Sequence, residues 1–513
     1  MRLLLFLLSA VLVSVFSFCC AKTVRTESDS NAITPPDSLP LFPQVLQVPA
    51  QFQTGEFATP HTVMLPQGFT ISVFATGITG ARFMCWSPDS TLYVCAMDAN
   101  QVIALPDHNG DGIADSTIVI VSGLNHNHSC EFYHDTLYVA QTDRVTKMIP
   151  SSYSRTVQTQ QDIVTGILTG GSHTTRTIVF DAPNKKMYLS VGSSCNICND
   201  PPQRACILRF NDDGTGEETF ASGLRNSVGL DFQPITHQLW ANNNGFDEDG
   251  NDLPPEAINI IEEGKFYGWP LAYGDKQFNT EYYSLVGPMT HADTLQVLGM
   301  QPPVAQVQAH SAPLGLYFYT GSGLPSDYTN QALMCYHGSW NRSPATGYKV
   351  VRLRGNPDGT NMRVADFLTG FMTDSIPSSV YWGRPVGITA DARGNIYISD
   401  DYANAIYRIH YTATTNVKER GEINDNNDIH LLGEYPDPAT KSTTLKFMAG
   451  QNSHVQIDII DERGAVVRDA FSMNAQQGEN QISLDTSSLP DGVYFARISG
   501  VNTKTSAMFR VAR

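Results

Sequence analysis

Leu92-Tyr93-Val94-Cys95-Ala96, a short polar turn, and Gln101-Val102-Ile103-Ala104-Leu105 form the stretch on which the fold turns. Each half is a run of β-branched and aromatic residues too short for a helix, and the turn between them is polar, so the pair reads as two adjacent strands. With 92–105 counted, the same pairing recurs six times, at 137–149, 187–210, 239–261, 333–353 and 396–409. The starts are separated by 45, 50, 52, 94 and 63 residues. Four-stranded blades repeat at roughly 40–50 residues, so the fourth gap holds an insertion. The pattern predicts an all-β chain with a six-bladed β-propeller over 61–411. Two packed sheets with irregular loops would leave the sixfold recurrence without a cause.

Outside this body the texture changes. Arg2 is the only charge ahead of an apolar run, Leu3 to Phe18, which meets Cys19, Cys20 and Ala21. A basic start, an apolar middle and a small-residue exit read as a signal peptide over 1–21, with lipid attachment at Cys20 left open. The run falls short of the about 20 apolar residues a membrane span needs, and nothing later reads as a transmembrane segment. Residues 22–60 are an N-terminal extension. Residues 412–433, with Asn424-Asp425-Asn426-Asn427-Asp428 in their second half, are polar and read as a linker. Residues 434–513 alternate as strands again and are expected to form a small Ig-like β-sandwich. That segment has no convergent titratable cluster. The formal charge of -17 argues against nucleic acid and anionic membrane surfaces as partners.

After the signal, the cysteines are Cys85, Cys95, Cys130, Cys195, Cys198, Cys206 and Cys335. In an oxidising compartment some of them pair. No second pair at ligand spacing follows Cys195 and Cys198, so Cys195, Cys198 and Cys206 read as holding a disulfide rather than zinc. Cys85 and Cys95 flank the turn at Pro88-Asp89-Ser90 and are candidates to face each other across a hairpin.

Propeller loops at one end converge on the central channel, so residues far apart in sequence meet there. Arg225, Arg342 and Arg384 lie in such loops of an acidic chain. Their planar forks match carboxylates, and three together point to a polyanionic ligand. Gly245-Phe246, beside Asp247, Asp249 and Asp252, offers oxygen donors of the type calcium takes. His173, in Gly170-Gly171-Ser172-His173-Thr174-Thr175-Arg176, can accept a proton near neutral pH. Taken singly, each arginine reads equally as a brace for a neighbouring loop, and His173 as a backbone partner. Asp107, Asn109, Asp111 and Asp115 alternate like the start of an EF-hand loop without its closing bidentate Glu. They read either as a structural calcium turn or as a metal-free Asx-rich loop.

Further motifs follow in order: Gly192-Ser193-Ser194-Cys195-Asn196-Ile197-Cys198, Gly223-Leu224-Arg225-Asn226, Asp252-Leu253-Pro254-Pro255-Glu256, Tyr267-Gly268-Trp269-Pro270, His337-Gly338-Ser339-Trp340-Asn341-Arg342 and Gly383-Arg384-Pro385-Val386-Gly387. On these, from about 68 to 411, the chain resembles the soluble pyrroloquinoline quinone (PQQ) dependent glucose and sorbosone dehydrogenases. The resemblance implies PQQ and Ca2+ as cofactors and an aldose or related sugar as substrate. It implies His173 as the general base at the sugar's C1 hydroxyl, with hydride passing to the quinone. Arg225, Asn226, Arg342 and Arg384 match residues around the cofactor, and the backbone carbonyls of Gly245 and Phe246 match calcium ligands. Glucose enzymes of the family carry Pro after that Gly, so Phe246 is a departure that bears on the calcium register. His128 and Arg176 are the substrate-side candidates, a plain turn histidine being the other reading of His128. The chain contains no Cys-x-x-Cys-His haem attachment, so electrons are expected to leave to an external electron acceptor.

The tail carries Tyr435-Pro436-Asp437-Pro438-Ala439, Asp461-Glu462-Arg463-Gly464 and Leu489-Pro490-Asp491-Gly492-Val493-Tyr494. It resembles the C-terminal sorting domain of the type IX secretion system, which implies that machinery as a partner and a secreted or cell-surface protein. Two other functional readings remain. A non-catalytic surface propeller binding glycan or protein would not demand His173 and the arginines. A calcium-dependent hydrolase or lactonase needs a carboxylate cage drawn from several blades, and no convincing set of four is found.

Overall fold

The computed structural model describes residues 33–150, 156–376, 378–412, 429–435, 439–461, 465–499 and 504–512. The expected signal peptide, Cys20 and most of the expected linker lie outside them. The chain divides into two compact units, Met1–Thr414 and Thr415–Arg513.

Among its described residues the first unit contains six large sheets in chain order, antiparallel except where Lys265–Phe266 joins the third in parallel, beside three two-stranded ones. The first sheet runs Ala81–Trp86, Leu92–Ala96, Gln101–Leu105, Ile118–Ser122, each strand beside the next. The second runs Ser129–Tyr133, Thr136–Ala140, Arg144–Pro150, Val157–Thr165. The next four open with Arg176–Asp181, Leu230–Phe232, Pro313–Phe318 and Pro385–Ala390. All six recurrent pairs quoted above fall on the second and third strands of these sheets. The second strands are the driest: Leu92–Ala96, Leu239–Asn243, Ala332–Tyr336 and Ile396–Asp400 are buried at every position. A strand covered on both faces needs a near-continuous apolar run, which is why these segments were the most legible ones.

The opening strands lie beside one another in cyclic order, the last returning to the first. Residues of all six line one cleft of about 280 Å³, from Phe83 and Ser129 through Thr177, Asp231 and Gly315 to Ile388. The ring closes through the sixth sheet, whose outer strand is Phe69–Thr76 from the start of the unit, paired with Ala405–Tyr411. The insertion expected in the fourth gap lies between Glu256–Ile261 and Ala305–Val307. It holds helices Thr280–Leu285 and His291–Leu298, the second opened by a reciprocal Thr290–Asp293 capping box.

The second unit has a three-stranded sheet (Ile429–Tyr435, Ser442–Ala449, Gly478–Asp485) and a four-stranded one (Val466–Ala475, Ser453–Asp461, Gly492–Ser499, Lys504–Val511). Leu445, Phe447, Val455, Ile457, Tyr494 and Phe509 form its core. Strand Ile429–Tyr435 starts inside the span read as linker, because apolar Ile429 joins that core and the segment pairs with Ser442–Ala449. Among the described residues, no helix is long and apolar enough to cross a membrane.

Cys195 and Cys198 form a disulfide, and Cys206 is free and buried. The expected Cys85–Cys95 pairing is not formed. Cys85 stands opposite Tyr93 in the register, which takes Cys95 out of line with it, and the sulfur nearest Cys85 belongs to Cys130.

Candidate functional site

Strand direction decides which loops meet. In five of the sheets the start of the first strand pairs with the end of the second: Ala81 with Ala96, Ser129 with Ala140, Arg176 with Val191, Pro313 with Tyr336 and Pro385 with Asp400. In the fourth sheet the same antiparallel sense puts Leu230 opposite Ala241, two residues short of that end. Neighbouring sheets are joined at this same end. Phe83 N–H donates to His128 O, His128 Nδ1 lies 3.2 Å from Arg176 O, and Ser193 N–H donates to Arg225 O. Asn244 Nδ2 donates to Pro313 O, Arg384 Nε to His337 O, and Arg82 pairs with Asp401 at 2.6 Å. The loops carrying His128, His173, Arg176, Arg225, Asn226, Gly245, Phe246, Arg342 and Arg384 therefore all open on one rim.

His173 is held by the loop that follows Lys186–Val191. Its Nδ1 lies 2.9 Å from Ser193 O and 3.0 Å from Ser193 Oγ. A carbonyl oxygen only accepts, and Ser193 Oγ donates to Cys195 O, so Nδ1 must carry the hydrogen. Nε2 then keeps its lone pair, and no described residue binds it. Burial first, and the Arg225 charge next, lower the His173 pKa to about 4. Gly192 sits between His173 and Asn226: a Cβ there would stand 2.6 Å from His173 Cβ and 2.8 Å from Asn226 Oδ1. Only glycine allows those two side chains to stand so close.

Arg225 is almost fully buried. It donates to Asn196 O and Oδ1, to Gly245 O, and to Asp247 Oδ2 at 2.8 Å, using four of its five N–H groups. Asp247 Oδ1 also accepts from Asn341 Nδ2. Beneath this layer Glu256 accepts from Gly245 N–H at 2.6 Å and from Ala312 N–H, and burial raises its pKa to about 7. Gly245 thus has both backbone groups engaged, its oxygen by a guanidinium. The Phe246 ring is buried among Ile197, Leu271 and Met300.

A second cluster lies across sheets one, five and six. Arg384 donates to His337 O and Gly338 O and lies over the Tyr348 and Tyr381 rings. His337 Nε2 is 2.8 Å from Asp401, whose pKa is pulled well below the carboxylate range, against its burial, by His337 and Arg82. His128 belongs to this side. It is wholly buried against Phe83, with Nδ1 near Arg176 O and Nε2 unpartnered. Arg342 pairs with Asp252 and donates to Asn251 O. Arg176 is wholly buried and donates to the carbonyls of His173, Thr175 and Leu168, so it braces the His173 loop from behind instead of facing a substrate.

Asp107, Asn109, Asp111 and Asp115 follow the third strand of the first sheet and lie at the opposite end. Their side chains accept from backbone N–H groups of their own loop. The only cluster of three potential metal-binding side chains among the described residues is Cys195, Cys198 and Asp200, two of them already in a disulfide. A cleft of about 490 Å³ lies at that far end, lined by Asp107, Arg393 and Arg408, away from His173. Sequence reasoning did not single out Arg82 and Asp401. Their signal was a charge at the rim end of a first strand and just past the end of a second strand, a place where strand formation does not require one.

Residues 63–412, more than half of the chain, match the family described as TrAA12-like. The chain belongs to the TrAA12-like family. This agrees with the resemblance carried by the propeller motifs. Residues 434–511 match the secretion system C-terminal sorting domain, which indicates type IX secretion to the cell surface or beyond. Among its relatives, the PQQ-dependent sugar dehydrogenase of Hypocrea jecorina is 24% identical over 397 residues, covering 67% of this chain and 89% of its own. The holo PQQ domain of pyranose dehydrogenase from Coprinopsis cinerea superposes with a TM-score of 0.58 at 21% identity, covering 71% of this chain and 98% of that one. A calcium structure of the Trichoderma reesei family AA12 enzyme gives 0.57 at 22% identity, covering 68% and 96%.

Proposed function

We propose that this chain is an exported PQQ-dependent dehydrogenase of an aldose or related sugar, built on a six-bladed propeller whose sixth blade is closed by Phe69–Thr76. One observation carries the reading: His173 presents an unshared Nε2 lone pair near Arg225, on the rim onto which the loops of Arg342 and Arg384 also open.

The residues fit a flat polyanion. Arg82 and Arg342 each keep a buried Nε without a partner. Arg225, Asn226, Arg342 and Arg384 would hold PQQ, which when bound supplies the acceptor for the sugar's hydride. His173 Nε2 takes the proton from the C1 hydroxyl, and Ser193 holds the ring in the tautomer that permits this. Burial, and next to it the charge of Arg225, itself pinned by Asp247 and Asn196, keep the ring neutral until then. Electrons leave to an external acceptor.

Calcium belongs to the proposal through the resemblance and the calcium structure of the Trichoderma reesei relative. The Gly245 oxygen faces the Arg225 guanidinium, so a cation at Gly245 and Phe246 requires that hydrogen bond to turn away. No step above depends on it. The domain limits 61–411 and 434–513 are proposed as the working boundaries. Titration of the purified protein with PQQ, followed by absorption and by dye reduction with a panel of aldoses, tests the reading. Absence of quinone binding overturns it.

A further inference from the structure

Cys85 and Cys130 lie on the first strands of the first and second sheets, which run side by side. Their sulfurs are 3.1 Å apart. Unbonded heavy atoms settle at about 3.5–4.0 Å, so this contact is closer than packing alone produces. Both side chains are buried, Cys95 packs in the same apolar cluster, and no other function uses these thiols. The sorting domain sends the chain out of the cell, where thiols that meet are oxidised. We propose that Cys85 and Cys130 form a second disulfide in the exported protein, fastening the inner strands of two neighbouring sheets.

The step is a thiol–disulfide exchange with an exported protein disulfide as oxidant. The Cys130 thiolate attacks one oxidant sulfur and displaces the other as a thiolate, giving a mixed disulfide. The Cys85 thiolate then attacks the Cys130 sulfur, forming the new S–S bond and releasing the second oxidant thiolate. Two protons leave the cysteines, and two electrons reduce the oxidant to a dithiol. Cys95 lies on the second strand, out of line with Cys85, and also touches Cys130, so it is the competing partner that the test must exclude. Burial pushes the Cys85 and Cys95 thiols above the ordinary cysteine pKa. The Cys85 thiol beside it, then burial, does the same for Cys130, so exchange takes place before the two sheets close.

The test uses full-length protein secreted by its native host, denatured and alkylated without reductant, then digested for peptide mass mapping. The expected result is one cross-linked peptide pair containing Cys85 and Cys130, about 2 Da lighter than the two thiol peptides together. Cys95, Cys206 and Cys335 should carry the label. In the Cys95→Ala variant the same pair should persist. Alkylation of both Cys85 and Cys130 in the unreduced protein overturns the proposal, and so does a Cys95–Cys130 pair in the wild type. The mapping needs no variant to fold.

Discussion

At the scale of single residues, His173 combines a lone pair at Nε2 with surroundings that disfavour the imidazolium. With a pKa of about 4, the ring is neutral at neutral pH and stops being a base only as pH falls through about 4. A bound anion beside it favours the charged form, so PQQ should move the His173 pKa upward, readable by NMR titration of the ring with and without the quinone. His173→Gln should keep PQQ bound and lose turnover by about 10²–10⁴, the usual range for a positioned base. Normal turnover would assign the base elsewhere. Gly192→Ala places a methyl 2.6 Å from His173 Cβ and should lower kcat at least about tenfold, with a stability cost of about 1–3 kcal/mol. Unchanged kcat would show that the His173–Asn226 approach has no role.

At the scale of elements, the loop after Lys186–Val191 reaches both halves of the site. Ser193 orients His173, Asn196 holds Arg225 by two hydrogen bonds and accepts a third from Trp269, and the Cys195–Cys198 disulfide spans Asn196. Cys198→Ser should therefore reduce kcat/KM about tenfold with the fold retained, because a small misplacement of reacting groups is costly. Equal kinetics would reduce the disulfide to a local staple. Glu256 joins the fourth and fifth sheets by accepting from Gly245 and Ala312. Glutamine has one acceptor oxygen where carboxylate has two, so Glu256→Gln should cost about 1–3 kcal/mol in denaturant unfolding. The Glu256 pKa is raised by burial, so its contribution is present at low pH and lost as pH rises through about 7. The variant should show a flatter stability profile across that window.

At the scale of the whole molecule, closure of the first unit depends on Phe69–Thr76 pairing with Ala405–Tyr411, a contact between its two ends. Val73 is fully buried in that strand, and Val73→Asp would place an unpaired charge there. It should cost about 4 kcal/mol or more and lower the cooperative melting transition of the unit, as followed by calorimetry. The second unit has its own core, so deletion of 434–513 should leave PQQ binding and the first unit's melting temperature unchanged and abolish appearance of the protein outside the cell. Loss of PQQ binding on that deletion would show that the tail belongs to the site.

The strands were legible because buried β-segments need unbroken apolar runs, and Leu92–Ala96 and Ile396–Asp400 supply them at a recurring distance. The sorting tail and the motif order were legible for the same local reason: each is a short word in the chain. His173 and Arg225 could be named from such words, but their relation could not. That Arg176 braces a loop, that Cys85 meets Cys130, that Arg82 of the first sheet pairs with Asp401 of the sixth, and that the Gly245 oxygen faces a guanidinium are outcomes of sheets meeting side by side. Hydrogen bonds and charges act over a few ångströms of space, whereas the sequence records only order along the chain. Tertiary structure alone converts the one into the other.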